Sequence, residues 1–306
     1  ELIGMIVMLP TFCGNFGIKG IWMAAFHSVS AFCNAGFDIL GTAENKYPSL
    51  TGYIGDTTIN IAVMFLIIIG GIGFLTWDDI CTNKWHFKKY RMQSKVILVT
   101  TMLLIIAPAV FFFFCDFTGL PLGERILASL FQAVTPRTAG FNTADLPAMT
   151  GSSKAIMILL MLVGGSPGST AGGMKTTTLA VLILSAFYVC RKKDDAEVCG
   201  RRIDGSAVKN AAAVAVMYFL LFFVGGIVIS TAEGLPLSTC LYETASAVGT
   251  VGLTLGITPQ LGILSQLILI VLMYFGRVGG LTLIYAAISN KNQSGAKLPL
   301  EKITVG

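Results

Sequence analysis

The sequence predicts an all-α membrane protein of tandem helix–pore-loop–helix repeats around a pseudo-fourfold pore, with re-entrant half-helices and an interrupted helix. Composition is the first observation behind this fold class. Hydrophobic residues make up 54% of the 306 residues and charged residues 12%, whereas about a quarter of the residues in soluble domains are charged. The second observation is a repeat: short apolar segments that end in a glycine-containing string recur between long apolar runs.

Five apolar runs are long enough to cross a hydrocarbon core of about 30 Å at about 1.5 Å per helical residue. They are Ile59–Thr76, Val96–Cys115, Ala155–Cys190, Ala207–Ser230 and Leu261–Ser289. Three shorter runs each precede a glycine-containing polar string: Gly20–Cys33, Gly123–Thr135 and Leu237–Val248. This order predicts a re-entrant half-helix, an extended strand and then a full helix. The chain also begins inside what we interpret as the last turns of a membrane helix, Leu2–Leu9.

Basic residues are concentrated in Lys84–Arg91, in Arg191–Arg202 and in a C-terminal tail that carries Lys291, Lys297 and Lys302. Short loops rich in Lys and Arg stay cytoplasmic, so these clusters mark one side of the membrane. We expect a multi-pass protein of the plasma (inner) membrane, surrounded by membrane lipid, with its basic loops in the cytoplasm. This topology accounts for the basic clusters without a nucleic-acid partner.

The cysteine and histidine positions argue against a redox, zinc or catalytic site. The seven cysteines include no CxxC pair, and His27 and His86 lie far apart in the sequence. Such spacing favours free thiols in a membrane over disulfides or a zinc site. Because no nucleophile–base pair is evident either, we expect no enzyme and no organic cofactor.

Three strings align without a gap: Phe26–Phe37, Leu130–Phe141 and Tyr242–Leu253. Their central glycines are 104 and 112 residues apart, about the length of one repeat. Non-helical backbone at membrane depth must be buried in protein or line a wet cavity, and glycine lets carbonyls turn toward a common axis. The strings therefore predict an ion selectivity filter of backbone carbonyls at Asn34, Ala35, Gly36, Thr138, Ala139, Gly140, Thr250, Val251 and Gly252.

Rings of backbone carbonyls replace the hydration shell of K⁺ in filters built from Thr-Val-Gly-Tyr-Gly. The string Thr250–Leu253 differs from the start of that sequence only at its fourth position. We therefore expect K⁺ as the transported ion, bound at the backbone carbonyls of the filter residues. The half-helices would point their partially negative C-terminal ends toward the cavity below the filter.

A glycine-rich run interrupts the long apolar stretch Ala155–Cys190. Glycine and proline at this density break a helix, and the prediction is an intramembrane loop, 164–178, that gates the pore. The predicted gate residues are Gly164, Gly165, Ser166, Pro167, Gly168, Ser169, Thr170, Ala171, Gly172, Gly173, Lys175 and Arg277. A kinked helix without a gating role is the alternative. A phosphate-binding loop fits worse, because the Gly-Lys-Ser/Thr ending is absent.

Arg277 joins this list because it is a lone guanidinium within the last apolar run. At mid-membrane it should face a water-filled cavity or a cluster of carbonyls. Below the filter it would raise the barrier for cations and could bond carbonyls of the glycine-rich loop. Snorkelling of Arg277 to the membrane interface is the alternative.

With these residues in view, the chain resembles the Trk/Ktr/HKT superfamily of potassium transporters, most closely its KtrB-like branch. The resemblance is carried by the three filter strings, the glycine-rich run and the surroundings of Arg277. It implies four repeats in one chain, with one filter glycine from each around a single pore. Residues 1–82 would be the second repeat with a truncated first helix, 83–193 the third and 194–306 the fourth, while the first repeat is absent.

The resemblance also implies partners. Members of this superfamily work as homodimers on a separate cytosolic ring of nucleotide-binding regulatory subunits. That ring would dock on the basic segments Lys84–Arg91 and Arg191–Arg202 and on the C-terminal tail.

Three other functions stay open at this point. An ion-coupled secondary transporter, a Na⁺ or H⁺ symporter with broken helices around a midplane site, is the main alternative. The parallel order of the repeats argues against it. A non-transporting dimerisation subunit is conceivable if the first repeat is truly absent, and a membrane enzyme fits worst.

Overall fold

The computed structural model describes residues 1–193 and 196–279. The described chain is mostly helical, as predicted. Its α-helices are α1 Leu2–Phe16, α2 Lys19–Phe32, α3 Thr57–Gly71, α4 Phe74–Asn83, α5 Met92–Cys115, α6 Leu122–Val134, α7 Gly151–Leu162, α8 Thr176–Cys190, α9 Gly205–Glu233, α10 Leu237–Gly249 and α11 Ile263–Val278. A short antiparallel hairpin, β1 Glu197–Val198 and β2 Arg201–Arg202, connects α8 to α9.

The three predicted half-helices form at the predicted places. They are α2, α6 and α10, and no end differs from its predicted position by more than one residue. Two helices, α5 and α9, have the length and composition to cross a membrane, and the bent pair α3 and α4 adds a third candidate. Each half-helix packs against the helix that precedes it in the chain, α2 on α1, α6 on α5 and α10 on α9.

Two predicted segments were wrong in extent. The run Ile59–Thr76 is not one straight helix, because the chain bends by 98° between α3 and α4. Gly73 sits at the bend with φ of +88°, and a Cβ there would lie 2.5 Å from the carbonyl oxygen of Pro167. Only glycine fits a backbone that approaches another loop so closely. The first helix also continues past Leu9 to Phe16 and contains Pro10.

The run Ala155–Cys190 is interrupted, as predicted. Helix α7 ends at Leu162 and α8 begins at Thr176. The loop between them closes at its base, where the N–H of Gly164 donates to the carbonyl of Met174 (2.8 Å). The basic tail predicted around Lys291, Lys297 and Lys302 lies outside the described residues.

A carboxylate at the end of each long helix holds the start of the helix after the filter. Asp116, at the end of α5, accepts hydrogen bonds from the hydroxyl of Ser153 and from the backbone N–H of Thr150. Glu233, at the end of α9, accepts hydrogen bonds from the hydroxyl of Ser265 (2.5 Å) and from the backbone N–H of Gly262 (2.9 Å). Ser153 and Ser265 are 112 residues apart, like the last two filter glycines, so the two repeats share this clasp.

We expect Glu233→Ala to destabilise the protein by about 2 kcal/mol, because it leaves a buried hydroxyl and a helix N-terminal N–H without an acceptor. Thermal unfolding of the purified protein in detergent measures this loss. Glu197→Ala, in the exposed hairpin, is the matched control and should leave the unfolding temperature unchanged. Equal unfolding temperatures for the two variants would contradict the clasp.

Candidate ion pathway

The predicted filter residues of the three repeats adopt the same unusual backbone. From here on, a filter string means the three residues 34–36, 138–140 or 250–252. In each string the first and third residues have positive φ, and the middle residue does not: 50° and 71° at Asn34 and Gly36, 66° and 83° at Thr138 and Gly140, and 53° and 91° at Thr250 and Gly252. Alternation between left- and right-handed backbone turns successive carbonyls to the same side of the chain. The strings are therefore built to present rows of carbonyl oxygens.

The strings also lie side by side in chain order. A Cβ on Gly36 would lie 2.3 Å from the carbonyl oxygen of Ala139, and one on Gly140 would lie 2.2 Å from that of Val251. The equivalent position on Gly252 is open, since its nearest neighbour is the Cα of Gly140 at 4.0 Å. The predicted filter residues thus come together, and Gly36 and Gly140 each face the middle residue of the next string.

Hydroxyl groups on the half-helices hold the strings in place from behind. Ser30 donates to the carbonyl of Phe37 (2.8 Å), and Thr135 donates to the equivalent carbonyl of the second string (2.5 Å). In the third string the hydroxyl of Ser246 accepts the N–H of Gly252 (3.1 Å). Each filter string is anchored to its own half-helix at the glycine or one residue beyond it.

Glu243 is a site residue that the sequence analysis missed. It lies on α10, is 4% exposed and holds the segment that follows the third string. Its carboxylate accepts hydrogen bonds from the hydroxyls of Thr254 (2.7 Å) and Thr258 (2.6 Å) and from the N–H of Leu255 (2.9 Å). The available signal was an acid within an apolar half-helix, at a position that the other two repeats fill with uncharged side chains.

The glycine-rich loop packs against the bend between α3 and α4. The N–H of Ser166 donates to the carbonyl of Gly71 (2.9 Å), and the carbonyl of Gly168 accepts the N–H of Phe74 (3.0 Å). The hydroxyl of Thr170 lies within hydrogen-bond distance of the carbonyl at the end of α2, that of Phe32 (3.1 Å). The loop is therefore a structured element with hydrogen-bond partners in both α2 and α3.

The same loop touches the first residue of all three filter strings. Asn34 donates from Nδ2 to the hydroxyl of Thr170 (3.1 Å). A Cβ on Gly164 would lie 3.0 Å from Cγ2 of Thr138, and a Cβ on Gly172 would lie 2.0 Å from Oγ1 of Thr250. This places the predicted gate residues against the predicted filter.

Two cations hold successive carbonyls of the loop. Arg277 donates from Nη1 to the carbonyl of Thr170 (2.9 Å), and Lys175 donates from Nζ to that of Ala171 (2.7 Å). The sequence hypothesis that Arg277 bonds loop carbonyls agrees with this contact. Both charges thus lie at the loop face, where they repel a cation that approaches it.

A third cation, Arg137, directly precedes the second filter string and was also missed. It is 5% exposed, and its Nη2 donates to the hydroxyl of Thr101 on α5 (3.3 Å). Among the ion pairs of the described residues none involves Arg137. The sequence signal was present, since Arg137 interrupts the apolar half-helix end where the other repeats have Cys33 and Gly249.

The fold and the site define a helical protein with apolar helices of membrane-spanning length and three glycine-centred strings side by side, and comparison with known proteins assigns its class. Residues 5–295 match the family model described as TrkH, cation transport protein. The chain therefore belongs to the TrkH family of cation transport proteins. This family is a transporter family, and the apolar helices agree with a membrane protein.

Relatives with established names agree with this assignment. Over its whole length the chain is 34% identical to the Ktr system potassium uptake protein B of Bacillus subtilis and 38% identical to the potassium/sodium uptake protein NtpJ of Enterococcus hirae, spanning 68% and 69% of those proteins. The crystal structure of the potassium transporter TrkH from Vibrio parahaemolyticus matches 93% of the chain with a TM-score of 0.70 at 19% identity. The chain spans 62% of that structure's chain, and the match confirms the fold class.

We expect Glu243→Ala to lower the unfolding temperature more than Glu243→Gln, because glutamine keeps one of the two acceptor oxygens. The alanine variant leaves two hydroxyls and an N–H without a charged acceptor, at a cost of about 2–4 kcal/mol. Thermal unfolding in detergent is the measurement. Glu44→Ala, in an exposed loop, is the control, and an alanine variant as stable as this control would contradict the anchoring role.

Proposed function

We propose that this chain forms the greater part of a potassium-conducting pore in a potassium uptake system. K⁺ exchanges its hydration shell for the backbone carbonyls of residues 34–36, 138–140 and 250–252. The glycine-rich loop 164–173, held by Lys175 and Arg277, gates this path. Transport follows the electrochemical gradient and involves no enzymatic step and no organic cofactor.

The shared backbone of the three strings is the observation that carries this proposal. Three segments more than 100 residues apart adopt one alternating conformation and pack glycine against carbonyl. Carbonyl rows of this kind suit a dehydrated monovalent cation. The names of the two relatives and of the solved transporter, which include potassium, favour K⁺ as that cation.

Replacing filter glycines should impair transport in a graded way. At Gly140 an added Cβ meets both a positive φ and the carbonyl of Val251, whereas at Gly252 it meets the positive φ alone. Gly140→Ala should therefore reduce the preference for Rb⁺ over Na⁺ by about tenfold or more. Gly252→Ala should reduce this preference less.

The measurement is ⁸⁶Rb⁺ uptake by the full-length protein in proteoliposomes, competed with Na⁺. Gly119→Ala is the matched control, because an added Cβ there meets nothing within 4 Å. An unchanged ion preference in Gly140→Ala would exclude the carbonyl filter as the selective element.

Releasing the loop should raise the flux. Arg277→Gln removes a positive charge and a strong donor to the carbonyl of Thr170, so we expect Rb⁺ uptake at saturation to rise several-fold. Lys46→Gln, in an exposed loop, is the control. Deletion within Gly168–Gly173 should act in the same direction. If neither change raises uptake at equal protein levels, the loop is a kinked connection and not a gate.

An ion-coupled symporter is the alternative. The name of the Enterococcus hirae relative, which includes sodium as well as potassium, is the observation that favours it. Rb⁺ uptake that continues without Na⁺ and without a proton gradient supports the channel-like function. Strict dependence on either ion supports the symporter.

The assembly we propose extends beyond the described residues. A further filter segment, the first of four repeats, would lie beside Gly252, where the ring of strings is open. The chain would pair as a homodimer in the plasma (inner) membrane and rest on a cytosolic ring of nucleotide-binding subunits. The Bacillus subtilis relative's name, a protein B of a Ktr system, supports separate partner subunits.

The docking surface for that ring would be the basic segments Lys84–Arg91 and Arg191–Arg202 on the cytoplasmic side. The described parts of both are largely exposed. Cross-linking from single cysteines placed in these segments would test the docking.

A further inference from the structure

An apolar groove with a volume of about 350 Å³ lies between α5 and α6. Its apolar walls are formed by Ile106, Val110, Phe113 and Phe114 on α5 and by Ile126 and Leu130 on α6. Ser129 also lines the groove, but its hydroxyl donates to the backbone carbonyl of Arg125 in the same helix (2.7 Å). Such walls offer water few hydrogen-bond partners, so the groove suits a hydrocarbon chain.

Arg125, near the start of α6, lies at one end of this groove. Its Nε donates to the carbonyl of Phe113 (2.7 Å), one of the last four carbonyls of α5, which have no partner within their own helix. The guanidinium carbon of Arg125 also lies 4.1 Å from the centre of the Phe113 ring, in a cation–π contact. Because Phe113 lines the groove, these two contacts hold the positive charge of Arg125 beside it.

The two terminal amino groups of Arg125 remain available for a ligand. Within the part of the chain that the structure describes, no hydrogen bond or ion pair reaches them. The adjacent acid, Glu124, is turned toward the segment before α3, where a Cβ on Gly55 would lie 3.1 Å from its Oε1. An arginine fork binds a phosphate through two parallel hydrogen bonds. The groove therefore has a positive charge at one end that suits an oxyanion.

The depth of the groove matches a membrane lipid. Helix α5 has 24 residues and is about 36 Å long, whereas the hydrocarbon core of a bilayer is about 30 Å thick. The end of α5, with Arg125 bonded to it, therefore reaches the level of the headgroups. Residues 106–114 run from there toward the middle of the bilayer over about 12 Å, which is most of the depth of one leaflet.

We propose that Arg125 and this groove bind an anionic phospholipid, with its phosphate on the terminal amino groups of Arg125 and one acyl chain between α5 and α6. A net negative headgroup matches the charge of Arg125, which Glu124 does not offset. The acyl chain packs on α6, the half-helix that leads into the second filter string, and so stabilises α6 in its place. The basic segment Lys84–Arg91 precedes α5, so the lipid lies in the leaflet away from that segment.

Lipid-dependent unfolding tests the charged end of the site. The unfolding temperature of the full-length protein in detergent is measured with and without dioleoyl phosphatidylglycerol, each variant against its own lipid-free value. A ligand that binds only the folded protein raises this temperature, and we expect a rise of about 5 °C. Arg125→Gln should lose more than half of the rise, whereas Lys46→Gln, in an exposed loop, should keep it. Phosphatidylcholine should give less than half of the rise, and inorganic phosphate none.

A second pair of variants tests the groove. Val110→Trp fills the groove with a larger apolar side chain and should abolish the rise with phosphatidylglycerol. Val99→Trp is the matched control, because Val99 is a similarly exposed valine of the same helix (52% against 51%) and does not line the groove. Both positions are half exposed, so we expect both tryptophan variants to fold.

Equal rises within either pair, Arg125→Gln with Lys46→Gln or Val110→Trp with Val99→Trp, would overturn the lipid site. An equal rise with phosphatidylcholine would overturn the anionic headgroup, and a rise with inorganic phosphate alone would replace the lipid by a simple anion. A dimer that Val110→Trp dissociates and Val99→Trp does not would assign the groove to a second copy of the chain. Because unfolding is measured and not transport, these results leave the proposed function untouched.

Discussion

Backbone that leaves a helix at membrane depth has to replace its lost hydrogen bonds, because lipid offers none. Among the described residues, the three filter strings and the glycine-rich loop break that way. The filter strings obtain partners from the half-helices behind them, through Ser30, Thr135 and Ser246. The loop obtains its partners from the ends of α2 and α3 and from Lys175 and Arg277. The positions of the half-helices, the bend at Gly73 and the intramembrane cations all follow from this requirement.

The filter and the loop then become one hydrogen-bonded unit. Asn34 of the first string binds the hydroxyl of Thr170, and the carbonyl of Thr170 accepts from Arg277. A single loop residue therefore links a filter string to the last described helix. Movement of the loop breaks contacts on both sides of Thr170 at once, so the loop has well-defined docked contacts to lose and does not deform gradually.

Much of this arrangement could be predicted from local sequence patterns. The half-helices follow from run length, because helices of 13 or 14 residues are too short to cross the hydrocarbon core. The filter glycines follow from their gapless alignment. The break before Thr176 follows from glycine and proline density. In each case the pattern lies within a few tens of residues, and for the half-helices and filter glycines it occurs three times in the sequence.

The features that were missed depend on contacts between distant segments. The bend at Gly73 was missed although Gly70, Gly71 and Gly73 weaken the helix there, because the contact at the bend is with Pro167, almost 100 residues later. Glu243 resembles an isolated acid until the segment after its filter string folds back onto it. Both features involve backbone polar groups that need hydrogen-bond or packing partners at membrane depth. These partners come from segments that are distant in the sequence and meet only in the folded chain.

The same reasoning explains why the unpaired charges lie where they do. A buried guanidinium such as Arg137 is costly in a membrane unless carbonyls or hydroxyls solvate it, and Thr101 supplies only one such contact. Carboxylates, in contrast, lie at helix ends and behind the third string, where N–H and hydroxyl donors surround them. In the proposed function a cation that passes the filter would meet neutral oxygens, while the positive charges of Lys175 and Arg277 are bonded to carbonyls of the loop. The filter residues 34–36, 138–140 and 250–252 contain no carboxylate, so in the proposed function backbone carbonyls would replace the water of the cation and no fixed negative charge would retain it.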